Sequence, residues 1–101
     1  MRHDKLVRDK IPEIIQSNGD SSSVHIADDD EYWDKLKQKL IEEATEFIED
    51  ESIEELADVM EVLEAIQSYK KFDKLAVEFI RVEKRTKRGG FEKRIILEET
   101  H

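Results

Sequence analysis

Cysteine is absent from this 101-residue chain. That excludes a disulfide framework, a cysteine-ligated zinc site and a thiol nucleophile. No apolar run approaches the roughly 20 residues a membrane span needs, and Met1–Lys10 carries no signal-peptide core. The expectation is a cytoplasmic protein without a membrane partner. Basic charge is also scarce: 17 Lys and Arg face 26 Asp and Glu, for a formal net charge of −9. Such a balance argues against nucleic acid as a partner, since a general binder would be basic. It suits a protein that concentrates divalent cations, and equally one that is merely soluble. Internal repeats and low-complexity stretches are missing too, apart from Ser21-Ser22-Ser23.

What remains is charge laid over periodic hydrophobicity. Charged residues make up 43% and apolar ones 38%, too much patterned apolar surface for a disordered chain. The length suits one domain over 1–101. A helical chain this short often completes its core with a second copy, so a homodimer or higher homo-oligomer is expected.

The periodicity predicts a mainly α protein, an antiparallel bundle of about three main helices preceded by a short one. Pro12 suits a first helical turn, so a short helix is expected from about Ile11 to Ser17, stopped by Asn18-Gly19. Asp28, Asp29 and Asp30 supply a cap and an acidic first turn for a long helix from about Asp29 to Glu49. Its stripe runs Trp33, Leu36, Leu40, Ala44 and Phe47, with Ile41 and Ile48 on the flank. Ser52 followed by Glu55 reads as a capping box opening the next helix, Ile53 to about Tyr69. A third helix, about Phe72 to Lys87, is expected to bury Leu75, Phe79, Val82 and Ala76, with Gly89-Gly90 ending it. Val24-His25-Ile26 alternates like a short strand, and its candidate partner in a small two-stranded β element is the segment 94–97.

The chemistry lies in two carboxylate pairs, Glu43-x-x-Glu46 and Glu55-x-x-Asp58. On a wheel of about 100° per residue with Glu43 as origin, Leu36, Phe47, Leu40 and Trp33 fall between about 20° and 80°. Glu43 is therefore inside the apolar sector and Glu46, at about −60°, on its edge, while Glu42 and Glu49 point away. The next helix repeats the arrangement. Glu55 is central among Ile66, Val59, Val62 and Leu63, and Asp58 sits on the same edge at about −60°. Helices joined by so short a break are antiparallel neighbours, so packing their apolar faces brings four carboxylates toward one locus. A buried unpaired carboxylate is costly, and the simplest compensation for several converging ones is a hard divalent cation, Mg²⁺ or Mn²⁺. Against this stands the ordinary reading of such spacings as solvated faces, or as acids that meet Lys or Arg.

These residues also carry a resemblance. Lys39-Leu40-Ile41-Glu42-Glu43-Ala44-Thr45-Glu46, followed by Glu54-Glu55-Leu56-Ala57-Asp58-Val59, is similar to the EExxE…ExxD signature of the all-α nucleoside triphosphate pyrophosphohydrolases. That group includes MazG-like and phosphoribosyl-ATP pyrophosphohydrolase-like proteins. The opening KLVRDKIPEII and closing KRGGFEKRIIL resemble one subgroup of it from end to end. Only eight residues separate Glu46 from Glu55, shorter than the usual MazG pattern, which argues against a large specificity loop there. The resemblance implies hydrolysis between the α and β phosphates of a nucleotide, releasing a monophosphate and pyrophosphate. It implies Mg²⁺ held by Glu43, Glu46, Glu55 and Asp58, with Glu43 or Glu46 acting on the water. The principles of metal-assisted phosphoryl transfer agree with that assignment.

Phosphates also need cationic partners. Arg81 and Lys84, three apart on one helix face, and Arg8 and Lys10 in the opening segment are the substrate-binding candidates. Basic groups near a helix C-terminus also favour the dipole with no ligand at all. His3, His25 and His101 show no metal-ligand spacing, and Trp33 and Tyr69 sit at core-packing positions. Gly89-Gly90 follows a helix instead of opening one, so it is a stop and not a phosphate loop. The competing reading is a non-catalytic helical interaction or oligomerisation module. A di-iron bundle is disfavoured because neither helix offers a Glu-x-x-His pair.

Overall fold

The computed structural model describes residues 2–101 and, within them, the helices α1 (Ile11–Ser17), α2 (Asp29–Glu49), α3 (Ile53–Lys70) and α4 (Lys74–Arg88). The fold is mainly α, and helix bounds follow the capping chemistry closely. Two compact units are present, one running to Lys70 and one covering Lys71–His101. No helix among the described residues is long and apolar enough to cross a membrane.

In the first unit, α1 carries Pro12 in its first turn, where the missing N–H costs nothing. The chain leaves it through Gly19 at φ +87°, a left-handed conformation that glycine adopts without penalty. Asp28 caps α2: its side chain accepts from the Glu31 N–H at 2.9 Å. Half of the capping box at Ser52 forms: the Glu55 N–H donates to Ser52 Oγ at 3.2 Å, while the Ser52 N–H donates to the Asp50 carbonyl at 2.7 Å and not to the Glu55 side chain.

Helices α2 and α3 pack against each other and run antiparallel. The end of α3 meets the start of α2, where Tyr69 Oη donates to the Asp29 carbonyl at 3.2 Å. Tyr69 also stacks on Trp33 (centroids 5.5 Å apart) and meets Tyr32 edge-on at 5.3 Å. Lys70 Nζ lies 4.2 Å from the Trp33 ring centroid, a cation–π contact. This cluster clamps one end of the hairpin and leaves the carboxylates to the other. Between the ends lie Leu36, fully buried, and Val62, 7% exposed.

The second unit is α4 and its flanks. Asp73 caps α4 through the Leu75 N–H at 3.0 Å, so the helix begins at Lys74, two residues after the Phe72 start read from the sequence. Gly89 ends the helix at φ +85° while its N–H donates to the Arg85 carbonyl at 2.8 Å.

Two expectations are corrected. Leu75, Phe79 and Val82 are exposed (79%, 67% and 45%), as is Ala76. An amphipathic stripe states that a face can be covered, not that this chain covers it. No strand forms among the described residues, so neither 24–26 nor 94–97 makes the small β element. Two paired segments this short are too little to hold a two-stranded element in water.

Candidate metal centre

The candidate site lies where the C-terminal half of α2 meets the first turns of α3. Glu43 enters it because the α2 stripe carries it inward: the residue is only 7% exposed. Glu55 and Asp58 are half-buried on the first two turns of α3, and Glu46 is half-buried one turn beyond Glu43. Carboxylate oxygens of Glu43, Glu55 and Asp58 lie within 4.8 Å of one another, and the same holds for Glu42, Glu43 and Glu46. Glu43 is common to both groups. The four acids named by the sequence are thus brought to one locus, with Glu43 as its hinge.

Electrostatics in the locus are unbalanced. Glu43 Oε1 meets Lys39 Nζ at 3.2 Å, but Glu43 Oε2 is buried with no hydrogen-bond partner, and so is Glu55 Oε2. Burial pushes the Glu43 carboxyl above its ordinary range; the charge of Glu46 adds to this while Lys39 opposes it. The Glu55 carboxyl is likewise pushed up, first by burial and then by the charges of Asp58 and Glu43. Both shifts say that negative charge is held here against its own repulsion and with incomplete solvation. A hard cation that takes oxygen ligands would relieve each of these strains.

Of the phosphate-binding candidates, Arg8 is at the locus: its Nη2 lies 2.7 Å from Asp58 Oδ1. It reaches there across 50 positions of sequence. Lys10 is exposed at the start of α1, where its carbonyl accepts from the Ile14 N–H at 3.0 Å. Arg81 and Lys84 belong to α4 in the second unit, and Arg81 is engaged by Glu78 on its own helix through two hydrogen bonds. Glu42 corrects the wheel, which sends it away from the site. It is half-buried, meeting Lys5 Nζ at 3.4 Å and Lys39 Nζ at 3.6 Å. Its long side chain spans the angle that separates its Cα from Glu46. Lys5 and Lys39 were missed as well. Lys39 was legible, standing four positions before Glu43; nothing local signals Lys5. His25 pairs with Glu31 at 2.9 Å, consistent with a structural role.

No protein-family model matches the chain, and no solved structure matches it. An uncharacterized protein of Mycolicibacterium smegmatis (strain ATCC 700084 / mc(2)155) is 48% identical over 42 residues, which is 42% of this chain. The chain spans 43% of that protein's length, and its name states no activity.

Proposed function

We propose that this chain is a Mg²⁺-dependent nucleotide pyrophosphohydrolase, with Mn²⁺ as an alternative ion, cleaving the α–β phosphoanhydride of an NTP-like substrate. Water adds across the anhydride: the hydroxyl goes to one phosphorus, the bridging oxygen leaves with the other, and a monophosphate and pyrophosphate result. The observation that carries this reading is the pair of buried, partnerless oxygens, Glu43 Oε2 and Glu55 Oε2, inside a cluster of acids. Such oxygens are rarely left without a ligand or a function.

Glu43, Glu46, Glu55 and Asp58 would hold the ion. When bound, it supplies charge neutralisation for phosphate oxygens and a more acidic water. Glu43 or Glu46 would orient the attacking water and accept its proton, since both stand in the acid cluster. Arg8 is the cation best placed to meet a phosphate oxygen, since it already lies against Asp58. The resemblance to the all-α pyrophosphohydrolases supplies the reaction class, and a cytoplasmic location belongs to the same reading.

A homodimer is part of the proposal. Leu56, Met60 and Leu63 form an exposed stripe along α3 (47%, 60% and 41%), and Ile41 and Ile48 are exposed on α2. That much apolar surface supports burial against a second copy. The same stripe favours the runner-up, an oligomerisation module without catalysis. The two readings part on one assay. Canonical and modified NTPs are incubated with Mg²⁺ and with Mn²⁺, and ³¹P NMR distinguishes pyrophosphate from orthophosphate. The enzyme reading expects pyrophosphate, lost in Glu43→Gln and in Asp58→Asn with helicity intact. No pyrophosphate from any substrate, or full activity in both variants, sinks it.

A further inference from the structure

Residues 2–8 form no helix or strand, yet they are tied to the hairpin at two points. Arg8 holds Asp58 at 2.7 Å and Lys5 holds Glu42 at 3.4 Å, across 50 and 37 positions. Both acids belong to the groups of oxygens that converge on Glu43. Glu43 itself is 7% exposed with one oxygen lacking any partner, so the cluster is built for a further positive charge. A third cation, Lys39, serves Glu43 and Glu42 from within α2 and is fixed by its helix. Lys5 and Arg8 are different: their segment belongs to no helix or strand, and the turn bond from the Ile11 N–H to the Arg8 carbonyl at 3.1 Å anchors only its C-terminal end.

We propose that segment 2–8 is an ionic strap that competes with a divalent cation for the acid cluster. Without the cation, Arg8 and Lys5 neutralise Asp58 and Glu42 and hold the segment down. Cation binding takes Asp58 from Arg8, and the freed guanidinium becomes available to an anionic ligand, of which a phosphate oxygen is the chemistry that suits its planar fork. This rests on the cation reading above and adds to it an exchange of partners. The strengths permit such an exchange. Both pairs are partly exposed, with Arg8 at 57% and Asp58 at 38% side-chain exposure, and exposed ion pairs are individually weak. Linkage makes the effect reciprocal: whatever factor the strap takes from cation affinity, the cation takes from strap docking.

The test titrates Mn²⁺ into the wild-type chain, Arg8→Gln, Arg8→Lys and Lys5→Gln by calorimetry, at low and at high NaCl. In parallel, ¹⁵N relaxation of residues 2–10 is followed as diamagnetic Mg²⁺ is added. The strap requires that Arg8→Gln bind Mn²⁺ about two- to fivefold more tightly than wild type at low salt, the range an exposed pair supplies. Arg8→Lys should fall between the two, and the gain should shrink at high salt as screening weakens the pair. Residues 2–10 should become more mobile when Mg²⁺ binds. Unchanged or weaker Mn²⁺ binding in Arg8→Gln, or a segment that stays rigid with Mg²⁺ bound, overturns the strap while leaving the cation site standing. Absence of saturable binding in wild type and Arg8→Gln alike overturns both.

Discussion

Removing the negative charge of Glu43 is expected to stabilise the cation-free fold, which is unusual for a change at a buried position. In the wild type, one oxygen is satisfied by Lys39 at 3.2 Å and the other is buried with no partner. Leaving a buried polar atom unsatisfied costs about 1–3 kcal/mol. Against this stands the Lys39 pair, which is shielded (side chains 17% and 9% exposed) and so returns more than a surface pair, although Lys39 keeps Glu42 at 3.6 Å when Glu43 is neutral. The Gln amide has the same shape, keeps an acceptor for Lys39 and gains N–H donors facing the acids around it. The balance is a gain of about 1 kcal/mol, or about 4–8 °C in Tm for a domain of this size. Thermal denaturation by circular dichroism, in chelator and in saturating Mg²⁺, reads the effect. Wild type should be the less stable protein in chelator and should gain with Mg²⁺; Glu43→Gln should start higher and gain nothing. A variant less stable than wild type in chelator, yet equally responsive to Mg²⁺, would refute the reasoning.

Further outcomes follow from the same structure. Glu43 and Glu55 bind protons more tightly folded than unfolded, since both carboxyls are raised above the ordinary 4.5. Their ionisation therefore costs stability above their folded pKa values, and the cost fades as pH falls through those values toward 4.5. The Tm advantage of Glu43→Gln in chelator should shrink over that interval; an advantage that is constant with pH contradicts the assignment. Ser52→Ala removes the acceptor of the Glu55 N–H and should cost about 1 kcal/mol in urea unfolding. Met60→Glu places charge in the exposed α3 stripe and should convert a dimer to monomer in sedimentation velocity without loss of helicity.

Local signals carried most of the fold into the sequence. Asp28, Ser52, Asn18-Gly19 and Gly89 each act through hydrogen bonds or backbone freedom within a few residues, so the helix bounds could be read directly. The burial of Glu43 was equally legible, because its angular position relative to Leu36 and Phe47 is fixed by helix geometry. The approach of Glu55 and Asp58 needed one tertiary step, the antiparallel return through a short break. Arg8 on Asp58 and Lys5 on Glu42 needed more. An irregular segment has no periodicity from which to infer where its charges land. Glu42 was misplaced because a wheel positions Cα atoms and takes no account of a long side chain reaching back to Lys39 and Lys5. Likewise the stripe of α4 announced an apolar face, and the expectation that this chain would cover it went beyond what periodicity contains.

The central claim, a divalent cation held by Glu43, Glu46, Glu55 and Asp58, is tested most directly by Mn²⁺ binding read by electron paramagnetic resonance in wild type and in Glu55→Gln. The account expects saturable binding in wild type, displacement of the Mn²⁺ by Mg²⁺, and affinity weakened roughly tenfold or more in the variant, as befits loss of a direct ligand. Free Mn²⁺ signal undiminished by the wild-type protein, or a variant that binds as tightly as wild type, would contradict it.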